Sequence, residues 1–573
     1  MDRKEYRGLL ISNFNIDNFA GYLNNNEDFP LVKAAIAPFN QVFHVLTDKS
    51  LECWKDNPDF AVIWTCPEGV IESFNHIINY KTAPLDKIFK EVDEYSSLLL
   101  DICGRVKAVF IPSWVFPHYH RGLGMLDMKD GIGVSNTLMR MNLRLSENLG
   151  SSSNIYLLNT SRWVNIAGKR AFDPKVWYMG KIAFGNEVFI EAAKDTKSAL
   201  MGVIGSSRKL IILDLDDTLW GGILGDVGLE NIILGGHDPV GEAYVDFQRA
   251  LKSLTNRGIL LAIASKNEEG MALEAIKHHP EMILRTDDFA GWKINWQDKA
   301  RNIVDLVSSL NLGLQSAVFI DDNPVERARI REALPEVFVP EWPEDKMLYR
   351  SALLSLHCFD QPSISKEDLE RPMMYVTERQ REDLKRKIGS FDEWLRSLKI
   401  RVKAEELNNI DLQRAAQLLN KTNQMNLATR RMTESELADW VKDGNRKLWT
   451  FRVMDKFSDS GLTGIISLEV NNNIGEIVDF VLSCRVLGRK IEEAMIYTVI
   501  KYAEFLRMDE IYAEYIPTPK NKVCLEFWKM SGFQYNEKEN LFTWNMNSIY
   551  RAPENIQIEG NLYGQKYASQ KYQ

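Results

Sequence analysis

Along residues 1–350, short and strongly apolar runs alternate with amphipathic stretches. GLLISNF (8–14), FAVIWT (60–65), VKAVFIP (106–112) and NIYLLN (154–159) have the length and apolar, partly β-branched content of buried strands. The segments between them are helical in period, which predicts a layered α/β domain over 1–200. A second series begins with KLIILDLD at Lys209 and continues through LLAIAS (260–265) and AVFIDD (317–322). It predicts a further α/β domain over 205–350. Residues 351–394 read as a helical linker, in which TERQREDLKRK (377–387) has the charge of a solvated helix face. Mixed strand and helix patterns over 395–548 predict an α+β domain. The last stretch, 549–573, has little apolar content and reads as a loose tail. The fold class is α/β and multidomain.

Composition narrows the function classes. At 573 residues the chain is too long for one hydrophobic core. Its 70 basic and 79 acidic residues leave a net charge of −9, so no global attraction to nucleic acid is expected. The six cysteines have no CxxC-type spacing, which argues against a zinc site or a disulfide framework and fits a reducing compartment. The N-terminus makes a poor signal peptide. No segment reaches the roughly 18 apolar residues of a membrane span. A cytoplasmic protein without membrane partners is the expectation.

Candidate chemistry sits where the central strands end. In a parallel sheet the carboxyl ends of the strands share one crevice. The first strand delivers Asp214-Leu215-Asp216-Asp217-Thr218, and alternation along a strand would bring the carboxylates of Asp214 and Asp216 to one side. The third delivers Asp321-Asp322, followed by Asn323. Carboxylates so gathered repel unless a cation or a proton intervenes, and a hard divalent ion such as Mg2+ suits oxygen ligands. The second strand ends in Ser265, a donor for a phosphoryl oxygen. Lys299 opens a helical stretch before the third strand, with Lys293 as a rival for the same role. The set fits attack by Asp214 on phosphorus, with Asp216 as general acid and base. Asp216 and Ser265 are 49 residues apart and Ser265 and Lys299 are 34 apart, intervals too short for a folded cap domain. Protection from water must then come from a large substrate, a carrier protein or neighbouring domains. WGGILGDVG (220–228) reads either as a small flap or as an ordinary loop.

LDLDDTLWGGILGDVG and VFIDDNPVERARIRE together resemble the FkbH branch of the haloacid-dehalogenase superfamily, subfamily IIIC, a Rossmann-like fold. The motif match spans 209–340. The resemblance implies a nucleophile at Asp214 and an acid/base at Asp216, whose backbone carbonyl also meets magnesium. It implies that Ser265 and Lys299 hold the phosphoryl group and that Asp322, with Asp321 beside it, completes the metal site. Thr218 and Asn323 are supporting residues.

In the C-terminal domain, Arg485-Val486-Leu487-Gly488-Arg489-Lys490 leads from a strand into an amphipathic helix and resembles the acyl-CoA turn of GNAT acetyltransferases. NKVCLEFWKMSGF (521–533) resembles that family's later helix and strand. Lys490 departs from the small residue usual there. The resemblance implies a site for CoA or phosphopantetheine at Cys484, Arg485 and Gly488, with the Cys484 thiol as an acyl tether; a buried small hydrophobe is the plainer reading of that cysteine. NKTNQMNLATRRMTESEL (420–437) resembles the FkbH pattern, and a capped helix start at Thr433 with Glu436 also accounts for its end. Ser12-Asn13 resembles an SGNH hydrolase start, without the usual G-D-S or a later D-x-x-H, so no catalytic role is assigned there. His118 and His120, lacking further ligands nearby, read as loop-stabilising.

Three readings follow. The first is a Mg-dependent phosphatase or phosphoryl-transfer enzyme that uses an aspartyl-phosphate on a phosphorylated small metabolite. The second, implied by the FkbH resemblance, is glyceryl transfer from a phosphorylated three-carbon acid to an acyl carrier protein. The third is a non-catalytic scaffold, against which the intact acidic set counts.

Overall fold

The structure is a computed structural model that describes residues 5–25, 29–364, 366–422 and 424–560; at 366–368, 421, 435 and 484 it describes the backbone alone. The chain forms two compact units, Met1–Pro372 and Met373–Gln573. Among the described residues no helix is long and apolar enough to cross a membrane.

The first unit holds two parallel sheets. One contains β1 (Glu5–Ser12), β2 (Leu31–Ile36), β3 (Phe60–Trp64), β4 (Ala108–Pro112) and β5 (Ile155–Leu158) in the order β2-β1-β3-β4-β5. The other contains β6 (Leu210–Leu213), β7 (Leu260–Ser265), β8 (Phe289–Ile294) and β9 (Ala317–Ile320) in the order β8-β7-β6-β9. Every residue of β3, β4, β6, β7 and β9 is buried. Helices on both faces impose this, and it is why these strands read as unbroken apolar runs. The two strands without such a run were not anticipated. β2 is an edge strand with only Val32 buried, and β8 is interrupted by Gly291 and Lys293.

The expected boundary near residue 200 is bridged. Asp195, on helix Asn186–Val203, accepts from Trp163 Nε1 at 2.6 Å and lies 3.1 Å from His357 Nε2. Tyr349, Leu353 and Phe359, beyond the last central strand, pack into the central core.

The second unit is built on one mixed sheet. Its strands are β10 (Ile400–Glu406), β11 (Arg446–Met454), β12 (Asp459–Asn471), β13 (Ile474–Leu482), β14 (Glu510–Glu514), β15 (Gln534–Asn536), β16 (Leu541–Asn545) and β17 (Ile556–Gly560). They run in the order β15-β16-β14-β13-β12-β11-β10-β17. Two sequence expectations differ from what is found. The supposed tail contains β17, which pairs in parallel with β10 from Ile400↔Ile556 to Ala404↔Gly560; residues 561–573 lie outside the described residues. The charged run 377–387 is not a fully solvated face. It lies in helix Lys366–Lys387, where Arg381 is 4% exposed in its side chain and donates to Asp455 through Nε (2.7 Å) and Nη2 (3.0 Å). A net charge count along a helix cannot show that one member has a buried partner from another element.

Candidate active site

β6 lies between β7 and β9 with Leu213 opposite both Ile263 and Ile320. β6 and β9 therefore stop at one level, and β7 runs two residues further, to Ser265. Asp214 N donates to Ile320 O at 3.0 Å, which sets Asp214 beside the Asp321-Asp322 pair. Beyond it the chain turns sharply. Thr218 N and Leu219 N both donate to Leu215 O, and Asp217 takes φ +53°, the left-handed region that a non-glycine residue enters at a cost.

The carboxylates of Asp214, Asp321 and Asp322 converge, with one oxygen from each lying within 4.8 Å of the others. Among the described residues this is the one group of three or more metal-capable side chains. Lys299, the first residue of helix Lys299–Ser309, is buried at 4% exposure and places Nζ 2.6 Å from Asp321 Oδ2 and 3.1 Å from Asp214 Oδ1. The nearer contact is a hydrogen bond. The one to Asp214 is an ion pair, and the Lys299 ammonium is the cation that meets this buried oxygen. Of the two lysines weighed from sequence, Lys299 is the one that meets the acidic cluster; Lys293 is half-buried on β8.

The surroundings hold the acids in place. Asp322 N donates to Thr218 Oγ1 (3.2 Å), and that hydroxyl lies 3.4 Å from Asp322 Oδ1. Asn323 N donates to Asp321 Oδ1 at 2.9 Å, while Asn323 Oδ1 caps helix Pro324–Ala333 through Val325 N. Arg327 Nη1 donates to the carbonyls of Asp321 and Asp322 at 2.8 and 2.6 Å. Ser265 ends β7 and is 1% exposed.

Asp216 departs from the sequence expectation. Its carboxylate does not join the cluster: Oδ1 accepts from Trp220 Nε1 (2.9 Å) and Leu224 N (3.1 Å), and Oδ2 accepts from Asn267 Nδ2 (3.0 Å). β6 has ended before this residue, so strand alternation no longer governs where it points. The segment 220–228 is tied down by the same bonds, by Gly221 paired both ways with Ile233, and by the burial of Trp220 and Leu224.

Electrostatics follow from burial and crowding. Burial raises the carboxyl of Asp216 above its ordinary value, against the Leu224 and Trp220 hydrogen bonds, and the charges of Asp214 and Asp217 push the same way. Asp321 is raised by burial and by the charge of Asp214, against Lys299. Asp322 is raised by burial, with Lys346 opposing. Burial would depress Lys299, but Asp214 and Asp321 outweigh it and hold the ammonium above its usual range. Three converging carboxylates against one ammonium are crowding that a hard cation with oxygen ligands would relieve, so the residues present fit magnesium.

Sequence reasoning missed Asn267, Trp220 and Lys346. Asn267 stands two residues past Ser265, and a polar residue at that offset from a strand end was a usable signal. Lys346 donates to Asp217 O (3.0 Å) and Tyr349 OH (2.9 Å) and lies 3.5 Å from Asp322 Oδ2. It opens the short 3-10 helix Lys346–Leu348, 24 residues beyond Asp322, and nothing local marked it.

Elsewhere the candidates take structural places. Ser12 Oγ accepts from Phe14 N, and Asn13 exchanges two hydrogen bonds with the backbone of Cys66. His120 stacks on Tyr80 and accepts from Gly122 N, and His118 lies against Tyr119 and Phe172. Thr433 and Glu436 form the expected capping box. Cys484 begins the short turn Cys484–Val486, and its side chain lies outside the described residues. Arg485 is half-buried, and its charge adds to burial in lowering Arg414. Gly488 adopts φ +69°.

No family model matches this chain, and no curated protein matches it. Among solved structures, it is similar to the N-terminal part of a Bacteroides fragilis protein containing a phosphatase domain, complexed with Mg. The two share 29% identity over 63% of this chain and 96% of that one, with a TM-score of 0.57. A GNAT-family acetyltransferase from Staphylococcus aureus Mu50 aligns at 14% identity over 25% of this chain and 99% of its own, with a TM-score of 0.21. A spermidine N-acetyltransferase chimera of Vibrio cholerae SpeG and hSSAT aligns at 15% identity over 26% of this chain and 96% of its own, also at 0.21. Those two scores are too low to assign the second unit. Over 63% of its length, then, this chain is similar in sequence and fold to a structure that contains a magnesium-complexed phosphatase domain.

Proposed function

We propose that the Asp214 cluster is the active site of a magnesium-dependent phosphatase or phosphoryl-transfer enzyme of the haloacid-dehalogenase type, acting on a small phosphorylated metabolite. The observation that carries this reading is the convergence of the Asp214, Asp321 and Asp322 carboxylates, with the buried Lys299 ammonium against two of them. Likeness to the phosphatase-domain structure complexed with Mg supports it.

Asp214 and Asp322, with Asp321 beside them and the backbone carbonyl of Asp216, would hold the ion. A bound magnesium ion supplies charge neutralisation at the phosphoryl oxygens. In the first step an oxygen of Asp214 bonds to phosphorus as the bond to the leaving oxygen breaks, and Asp216 gives that oxygen its proton. Burial favours a protonated Asp216, as an acid needs. In the second step Asp216 takes a proton from water, the water oxygen bonds to phosphorus, and the Asp214–phosphorus bond breaks. Lys299 and Ser265 offset and orient the charge on the transferring group.

The test is Mg-dependent release of p-nitrophenol from its phosphate ester. Asp214→Asn is expected to lower the rate by about 10³-fold or more, as loss of a covalent nucleophile does. Unchanged release in that variant removes Asp214 from the role.

A second reading is FkbH-type glyceryl transfer to an acyl carrier protein, with the Cys484 thiol as tether. It is favoured by the shortness of the insertions around the site. Between Asp216 and Ser265 lies one helix longer than a turn, Pro239–Thr255, and between Ser265 and Lys299 only helix Glu269–His278, a short turn and β8. No folded cap stands there, and a carrier protein would shield the intermediate. Incubation of the full chain with a phosphorylated glyceryl donor and a carrier protein decides it, a glyceryl adduct on the carrier being the expected product.

A further inference from the structure

The turn 485–490 has the sequence of a pyrophosphate cradle, and the structure shows what fills the space around it. The turn follows β13 directly, so an extended arm on a ligand anchored there would lie along the edge of β13 that β14 leaves open. β13 and β14 pair only from Ile474↔Glu510 to Ile477↔Ala513. Beyond that point β13 continues to Leu482 without β14, presenting backbone groups to which an arm could bond as an added strand.

Those groups are taken. Leu427 N donates to Phe480 O at 3.1 Å, and Leu482 N donates to Met425 O at 3.0 Å. On its other side the same segment accepts from Ile516 N through Leu427 O at 3.1 Å. Asn521, fully buried, donates to Asn426 O at 3.0 Å. Met425, Asn426 and Leu427 are each 1% exposed or less. The chain's own segment thus lies along the open edge of β13 and bonds also to the chain just past β14.

The cradle is occupied as well. Gly488 N, an amide that would face a phosphate, donates to Glu492 Oε1 at 2.8 Å, and Glu492 is 5% exposed. The Glu492 side chain thus takes both the amide and the space that a second anion would need. Arg489, 3% exposed, turns inward to Glu378 and Asp455.

We infer that the 425–427 segment and Glu492 permanently fill the place that a CoA thiol arm and pyrophosphate would take, so that the second unit is not a CoA-dependent acyltransferase. Any acyl group this chain handles reaches it on a carrier other than free CoA. The inference is independent of the phosphatase reading.

The experiment uses the full chain with CoA and acetyl-CoA, read by equilibrium dialysis and by hydrogen exchange. The amides of Leu427, Leu482 and Ile516 are expected to exchange slowly without ligand. At about 1 mM CoA or acetyl-CoA, where a site with a Kd of about 10 μM would be about 99% filled, no retention and no change in exchange or Tm are expected. Fast exchange at those three amides overturns the inference, because the segment would then not be a fixed part of the sheet. Stoichiometric retention of either ligand also overturns it.

Discussion

Asp214 and Asp216 stand two residues apart and meet different neighbours. Asp214 extends from the end of β6 into the acidic cluster, where one oxygen meets the Lys299 ammonium. Asp216 follows the turn and has both oxygens bonded, to Trp220, Leu224 and Asn267. This division suits a nucleophile, which needs a free lone pair, and an acid, which needs to be aimed. Asn267 is then a positioning residue. Asn267→Ala is expected to lower kcat by about 10- to 100-fold with KM little changed, the penalty of a misdirected catalytic group. Steady-state kinetics on the aryl phosphate measures both constants, and a rise in KM alone would contradict it. The residue types at the acidic site were legible in sequence because aspartates at the ends of apolar runs have few structural uses. The direction of Asp216 was not legible, since it depends on a turn and on donors up to 51 residues away.

At the scale of elements, burial rather than pattern explains what sequence missed. The run 377–387 looks like a solvated charged face, yet Arg381 is sunk against the Asp455 carboxylate, which also accepts from Phe457 N and Ser458 N. Burial opposes ionisation of Asp455, but Arg381 and these amides outweigh it and hold its carboxyl below the ordinary value. A carboxyl depressed by folding contributes stability at pH above the unfolded value, about 3.9. That contribution is lost as pH falls through the lower folded value. Asp455→Asn, which removes the buried charge partner of Arg381 and leaves it the partly exposed Glu378, is expected to cost about 3 kcal/mol near neutrality. In urea titrations of parent and variant, the gap should hold from pH 7 to pH 5 and narrow below pH 4. A gap independent of pH would show that the carboxylate charge is not what matters.

At the scale of the whole molecule, every member of the acidic site lies in the unit Met1–Pro372. The N-terminal part of the similar Bacteroides fragilis protein was itself solved as a separate piece. A chain ending at residue 372 is therefore expected to keep Mg-dependent release of phosphate, measured on the same aryl ester, and to lose glyceryl loading of a carrier. Loss of hydrolysis by a folded fragment would place part of the chemistry in the second unit. The sequence by itself determined the buried parallel strands, the aspartates at their ends and the absence of room for a cap. Each of these is local, resting on runs of a few residues or on spacing alone. Only the tertiary structure decided that Lys299 rather than Lys293 meets the acids, that the Asp216 carboxylate bonds to Trp220, Leu224 and Asn267 instead of joining them, and that residues 425–427 lie along the open edge of β13. These depend on which distant segments become neighbours, and packing settles that through burial and hydrogen bonding that no single stretch of sequence contains.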